Sequence, residues 1–221
     1  KPKVGKTTLI IEMLGRWAKG EREFLGKKLI GSCPDIIIIG TDMPNNRWYK
    51  LLAKFGLAFI NKNNKYQLNK KIKALFTLQR PLHLDEQGLE IISELTCKFP
   101  ECLILLDCYQ KCLPRGIQEN SNQFSEPLED FQEVTAVNKT TNIIIYHSGH
   151  RNSSSAIDSS RGHTSLPAAV SQCLDMKFLK YEEYSDDQRI LLSGEGRSKS
   201  IKMIIEQKDN GFVLKGSYKE I

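Results

Sequence analysis

The chain lacks any hydrophobic run long enough to cross a bilayer. Its apolar runs, such as Ile36–Ile39 and Leu103–Leu106, are a few residues long, against the ~20 that a spanning helix needs. No leader-like pattern stands at the start, so no membrane partner is expected and a cytoplasmic location is. The six cysteines include no C-x-x-C pair. Cys97, Cys102, Cys108 and Cys112 crowd together, yet Cys102 belongs to an apolar strand pattern. Buried or free thiols in a reducing compartment are therefore expected, not a metal centre. Internal repeats and linker-like stretches are absent too, which argues against a solenoid or a string of small modules. Neither sign of charge dominates: 32 Lys and Arg against 26 Asp and Glu leave +6. That balance is compatible with a polyanionic partner without requiring one.

What is present is an alternation of strand and helix patterns over 221 residues, enough for one large α/β domain. A helix is expected from Lys6 to about Lys19, stopped by Gly20. Asp35–Gly40 reads as a buried strand, Asn45–Phe55 as a helix closed by Gly56, and Leu57–Ile60 as a short strand. Asn61–Lys73 is rich in Lys and Asn and reads as exposed. Leu84–Lys98 is a helix with Asp85 near its cap, and Cys102–Asp107 is apolar throughout, as a central parallel strand should be. Tyr109–Gln123 reads as a polar loop, Pro127–Thr140 as a helix and Asn142–His147 as a strand. Ser148–Thr164 is a long polar loop, of the kind that is usually functional. Four alternating segments close the chain: Cys173–Tyr181, Gln188–Gly194, Ser200–Gln207 and Gly211–Lys215. They are expected to finish the sheet as antiparallel strands. The fold expectation is thus a single α/β domain over 1–221, a mostly parallel central sheet flanked by helices.

The opening KPKVGKTTLIIEML holds the first chemical signal. Gly5, Lys6, Thr7 and Thr8 match the second half of a phosphate-binding loop running straight into a helix. Glycine lets the backbone approach phosphate, and amides at the helix start point at the anion. Lys6 can reach the β and γ phosphates of ATP, and the Thr7 hydroxyl can hold Mg²⁺. The glycine that starts such a loop, and the strand that feeds it, are expected upstream of Lys1.

Hydrolysis needs further groups, and strand ends offer them. Asp107 follows four apolar residues in ECLILLD, which suits a strand delivering a carboxylate to Mg²⁺. Asp42 follows the strand in DIIIIGTD, where it can polarise an attacking water or cap the next helix. His147 ends NIIIYH, where it can sense the γ-phosphate. Arg161, in SSRGHTSLPAAV, suits an arginine finger offered to a neighbouring subunit. Arg197, in GEGRSKS beside Lys199, is a second cation for the nucleotide.

Together these segments resemble the RecA-type P-loop ATPases, and within them the RepA-like hexameric replicative helicases. The resemblance runs in order through KPKVGKTT, IIIIGTDMPNNRWYKLLAKFG, LILLDCYQK, IIIYHSGHR, SSRGHTSL and RILLSGEGRSKSIKMIIEQKDNGFVL. It implies a RecA-like core that binds ATP and Mg²⁺ through Lys6 and Thr7, with Asp107 as the Walker B carboxylate. Asp42 stands where the family has a catalytic Glu, His147 would be the sensor, and Arg161 would act across a subunit interface in a ring-shaped hexamer. The loops after Asp107 and His147 would touch single-stranded DNA without sequence preference, through Lys111, Arg115, His150 and Arg151. The cluster Lys62, Lys65, Lys70, Lys71 and Lys73 is a further candidate contact, or a solvated face. A filament-forming recombination or regulatory ATPase, and a partial copy that no longer binds nucleotide, remain the alternatives.

Overall fold

The computed structural model describes residues 4–117, 122–147, 169–179, 187–197 and 199–217. Helix α1 (Lys6–Ala18) starts directly after Gly5. Leu9, Ile11, Glu12 and Leu14 are all buried and lie on more than one side of it, so the helix is enclosed, not surface-lying. Its end is a Schellman turn: Gly20, at φ +89°, donates to the Trp17 carbonyl, and the Glu21 amide returns to Arg16. A tight hairpin follows, β1 (Glu23–Phe24) and β2 (Lys27–Lys28). Leu25 and Gly26 at its tip both have positive φ, as a two-residue primed turn requires.

Strand β3 (Ile36–Gly40) is buried along its whole length. Helix α2 (Asn45–Lys54) buries Trp48 and Leu52, one turn apart, and ends in a second Schellman turn at Gly56. Gly40 is fixed by this helix: a Cβ there would lie 2.1 Å from the Trp48 ring, and the indole N–H donates to the Gly40 carbonyl at 2.9 Å. Strands β4 (Ala58–Ile60) and β5 (Tyr66–Leu68) form a hairpin, followed by β6 (Ile72–Thr77). The Asn61 side chain organises the hairpin tip by accepting the Asn63 and Lys65 amides at 2.9 and 3.0 Å.

Helix α3 (Glu86–Lys98) is capped by Asp85, whose carboxylate accepts the Gly88 amide at 2.9 Å. It leads to β7 (Leu103–Asp107), entirely buried, then to α4 (Tyr109–Cys112), a 3-10 turn at Asn122–Phe124, α5 (Glu126–Ala136) and β8 (Thr141–Ile145). Strands β9 (Gln172–Phe178), β10 (Arg189–Gly196), β11 (Ile201–Lys208) and β12 (Gly211–Ser217) complete the described chain.

The chain divides into two compact units. One comprises Met13–Arg22 and Leu29–Tyr146. Its centre is a four-stranded sheet in the order β6-β3-β7-β8, with every neighbouring pair parallel. The two inner strands are continuous apolar runs, as burial on both faces demands. The other unit comprises Lys1–Glu12, Glu23–Lys28 and His147–Ile221. It is built on the antiparallel sheet β12-β11-β10-β9. Its buried Glu12 carboxylate accepts the Phe212 amide at 2.7 Å, one of the partners a buried charge needs.

The structure is therefore α/β, with a parallel sheet and flanking helices. Three expectations are corrected. The C-terminal antiparallel strands do not finish the parallel sheet; among the described residues they form a separate one. The segment Asn61–Lys73 is exposed over much of its length, as expected, but not throughout: it holds β5 and the start of β6, where Ile72 is buried. The expected polar loop from Tyr109 opens with α4, whose Tyr109 and Cys112 are fully buried. Tyr109 donates its hydroxyl proton to the Phe124 carbonyl, so a polar sequence is folded down by its aromatic residues. The long polar loop Ser148–Thr164 lies outside the described residues.

Candidate functional site

In the unit with the parallel sheet, connections set the site. From β3 the chain moves outward to β6; from β7 it moves the opposite way, to β8. Neighbouring parallel strands whose connections depart in opposite directions leave a crevice at their carboxyl ends, where ligands of open α/β sheets bind. Asp107 is the last residue of β7 and Asp42 follows β3 by two residues, so the two carboxylates flank this switch point. Asp107 is buried, with 1% of its surface exposed, whereas Asp42 reaches the surface.

Buried sulfurs lie beside Asp42 and its neighbour Thr41. The Cys108 sulfur and an Asp42 carboxylate oxygen lie within 4.8 Å of one another. The Thr41 hydroxyl lies 3.3 Å from the Cys112 sulfur and donates to the Lys111 carbonyl at 3.3 Å. Burial, reinforced by the Asp42 and Asp107 carboxylates, pushes the Cys108 thiol up to about 11. Burial likewise takes Cys112 to about 12. Both cysteines are therefore thiols at neutral pH. Asp42 is raised above the usual carboxylate range, chiefly by loss of hydration on its inner side. Its own backbone amide and the Lys111 and Arg47 cations oppose that rise. The Asp107–Cys108 peptide is cis.

The other unit holds the phosphate-loop residues. Gly5 has φ +90°, and its carbonyl accepts the Leu9 amide at 2.9 Å, which makes it the residue that opens α1. A Cβ at Gly5 would meet the Phe212 ring at 3.0 Å and the Gln207 amide oxygen at 3.1 Å. Lys6, Thr7 and Thr8 occupy the first turn of α1 and are partly exposed. First-turn amides have no acceptor within their own helix and favour anions. In the same unit His147 is partly exposed, and its pKa is lowered, first by burial and then by the Lys6 ammonium. The imidazole is thus neutral at pH 7. Arg197 follows β10, is exposed, and its amide donates to the Ser171 carbonyl at 2.8 Å.

The structure thus places Asp42 and Asp107 beyond the ends of two neighbouring strands in one unit, and Lys6 close enough to His147 to act on its charge in the other. No protein-family model matches the chain, and no curated protein matches it. Arg161, His150 and Arg151 lie outside the described residues. Lys111 and Arg115 are exposed beyond β7. Sequence reading missed Thr41, Cys108 and Cys112 as parts of the crevice. Their one sequence signal is proximity: each lies within a few residues of Asp42 or Asp107.

The oxygen donors fit a hard divalent cation. Asp42 and Asp107 offer carboxylate oxygens, the hard donors that suit Mg²⁺.

Proposed function

We propose that this chain is an ATP-hydrolysing motor of the RecA type, acting on single-stranded DNA as a ring-forming helicase domain. The observation that supports it best is the pair of carboxylates flanking the switch point between β3 and β7. The left-handed Gly5 that feeds Lys6 and Thr7 into the first turn of α1 adds to it.

On this reading the Lys6 ammonium and the α1 amides hold the β and γ phosphates, and Arg197 adds a cation to the nucleotide. Thr7 and Asp107 would hold Mg²⁺, which would neutralise charge on the phosphate oxygens. Asp42 accepts a proton from the attacking water as its oxygen bonds to the γ-phosphorus and the bond to the β-phosphate oxygen breaks. A carboxylate with a raised pKa is a better base for that step than an ordinary one. His147, neutral at pH 7, offers one nitrogen as donor and one as acceptor, which suits a sensor of the γ-phosphate. Arg161 completes the site of a neighbouring copy in the ring. The test is ATP turnover with and without an oligothymidylate. Wild type should be stimulated by the oligonucleotide and Lys6→Ala should lose turnover; undiminished turnover in Lys6→Ala would sink the assignment. Open filaments instead of rings by electron microscopy would favour a recombination-type ATPase.

A further inference from the structure

Away from the carboxylate crevice, the outer side of the parallel sheet has a chemistry of its own. Residues 56–84 contain six Lys or Arg and no Asp or Glu. This stretch supplies the β4–β5 hairpin and β6, the edge strand of the sheet. Between β6, α2 and α3 runs a groove of about 620 Å³, lined among others by Tyr49, Lys73, Phe76, Arg80, Glu94 and Lys98. Three of these side chains are cationic and one is acidic. Lys73 is shared with Asp35 at 3.5 Å, whereas Arg80 lies over the Phe76 ring, 5.6 Å from its centroid.

Aromatic surface sits beside the charge. Tyr49 and Tyr66 are stacked, with centroids 5.4 Å apart and planes within 14° of parallel. Tyr66 keeps 37% of its surface exposed, and its cross-strand partner Ile60 keeps 58%. The hairpin tip between these strands carries Lys62 and Lys65, both exposed. An aromatic stack continued outward from a cationic groove is what successive bases and phosphates of an unpaired strand require: bases extend the stack, while Lys and Arg follow the backbone. Duplex would present phosphates alone, because its bases are already stacked on one another.

We infer that the β4–β5 hairpin and the groove beside β6 form a binding surface for single-stranded nucleic acid, with Tyr66 as its base-stacking platform. This surface uses neither nucleotide nor the carboxylate pair, so it stands or falls separately from the ATPase reading.

The experiment is fluorescence anisotropy with a labelled oligothymidylate in the absence of ATP, at low and at moderate salt. An abasic oligomer of the same length and polyglutamate serve as competitors. Wild type should bind the oligothymidylate more tightly than either competitor. Tyr66→Ala should weaken it on the order of tenfold with little change in salt dependence. Lys62→Glu combined with Lys65→Glu should weaken binding and flatten the salt dependence. Lys6→Ala should bind as wild type does, which separates this surface from the nucleotide site. The inference is overturned if both hairpin variants, shown to be folded by circular dichroism, bind like wild type. It is equally overturned if the abasic oligomer or polyglutamate competes as well as the oligothymidylate, since a plain anion site or an acidic protein partner would then account for the charge.

Discussion

Asp42 is a side chain whose dehydration sets its charged form against the fold. Its pKa is raised in the folded chain, so folding favours the protonated form. The sign follows from linkage. The group's contribution is fully present below the unfolded value of about 3.9 and is lost as pH rises through the higher folded value. At neutral pH the ionised carboxylate therefore works against the fold. Asp42→Asn should unfold at a higher urea concentration than wild type at pH 7, and the two midpoints should converge near pH 3.5. The same variant should lose ATP turnover by roughly 10²-fold or more, the usual loss when a general base is removed. Lower stability of the variant at pH 7 would mean that the carboxylate makes a stabilising contact outweighing its dehydration.

At the scale of elements, caps and closing turns decide where helices begin and end. Asp85 holds the first turn of α3 through the Gly88 amide. Asp85→Ala should destabilise the protein by about 0.5–2 kcal/mol, and Asp85→Ser should recover most of it; urea unfolding monitored by circular dichroism reads both. Such signals are local, which is why α1, α2 and α3 were legible in the sequence to within a residue or two. Gly20, Gly56 and Asp85 each mark a boundary through their own backbone or side-chain chemistry. The continuous apolar runs of β3 and β7 were equally plain, because burial on both faces leaves no polar positions.

What escaped reading depends on distant partners. The segment from Asn61 is polar and lysine-rich, yet β6 pairs with β3 across more than thirty residues of sequence, and only that pairing makes Ile72 a core residue. The C-terminal strands show the alternation that marks a strand, but no pattern within a strand says which sheet it joins. Asp42 and Asp107 were picked individually as strand-end residues. Their flanking of a switch point came from strand order, which depends on the crossovers. Thr41, Cys108 and Cys112 were missed because small buried side chains look alike in sequence whether they fill a core or lie beside a candidate site.

The whole molecule holds six cysteines, none in a disulfide, at graded depth. Cys33, Cys102, Cys108 and Cys112 are buried, Cys173 is intermediate and Cys97 is exposed. Only Cys173 belongs to the unit with the antiparallel sheet; the other five lie in the unit with the parallel one. An alkylating reagent added to native protein should modify Cys97 first, and mass spectrometry of digested samples should then time the rest. Protection lost from Cys108 and Cys112 at one common rate would report cooperative opening of the parallel sheet. Cys173 modified on a separate clock would show that the units breathe independently. The chain thus carries its own set of chemical stopwatches, and no label need be engineered to learn whether it comes apart in one event or two.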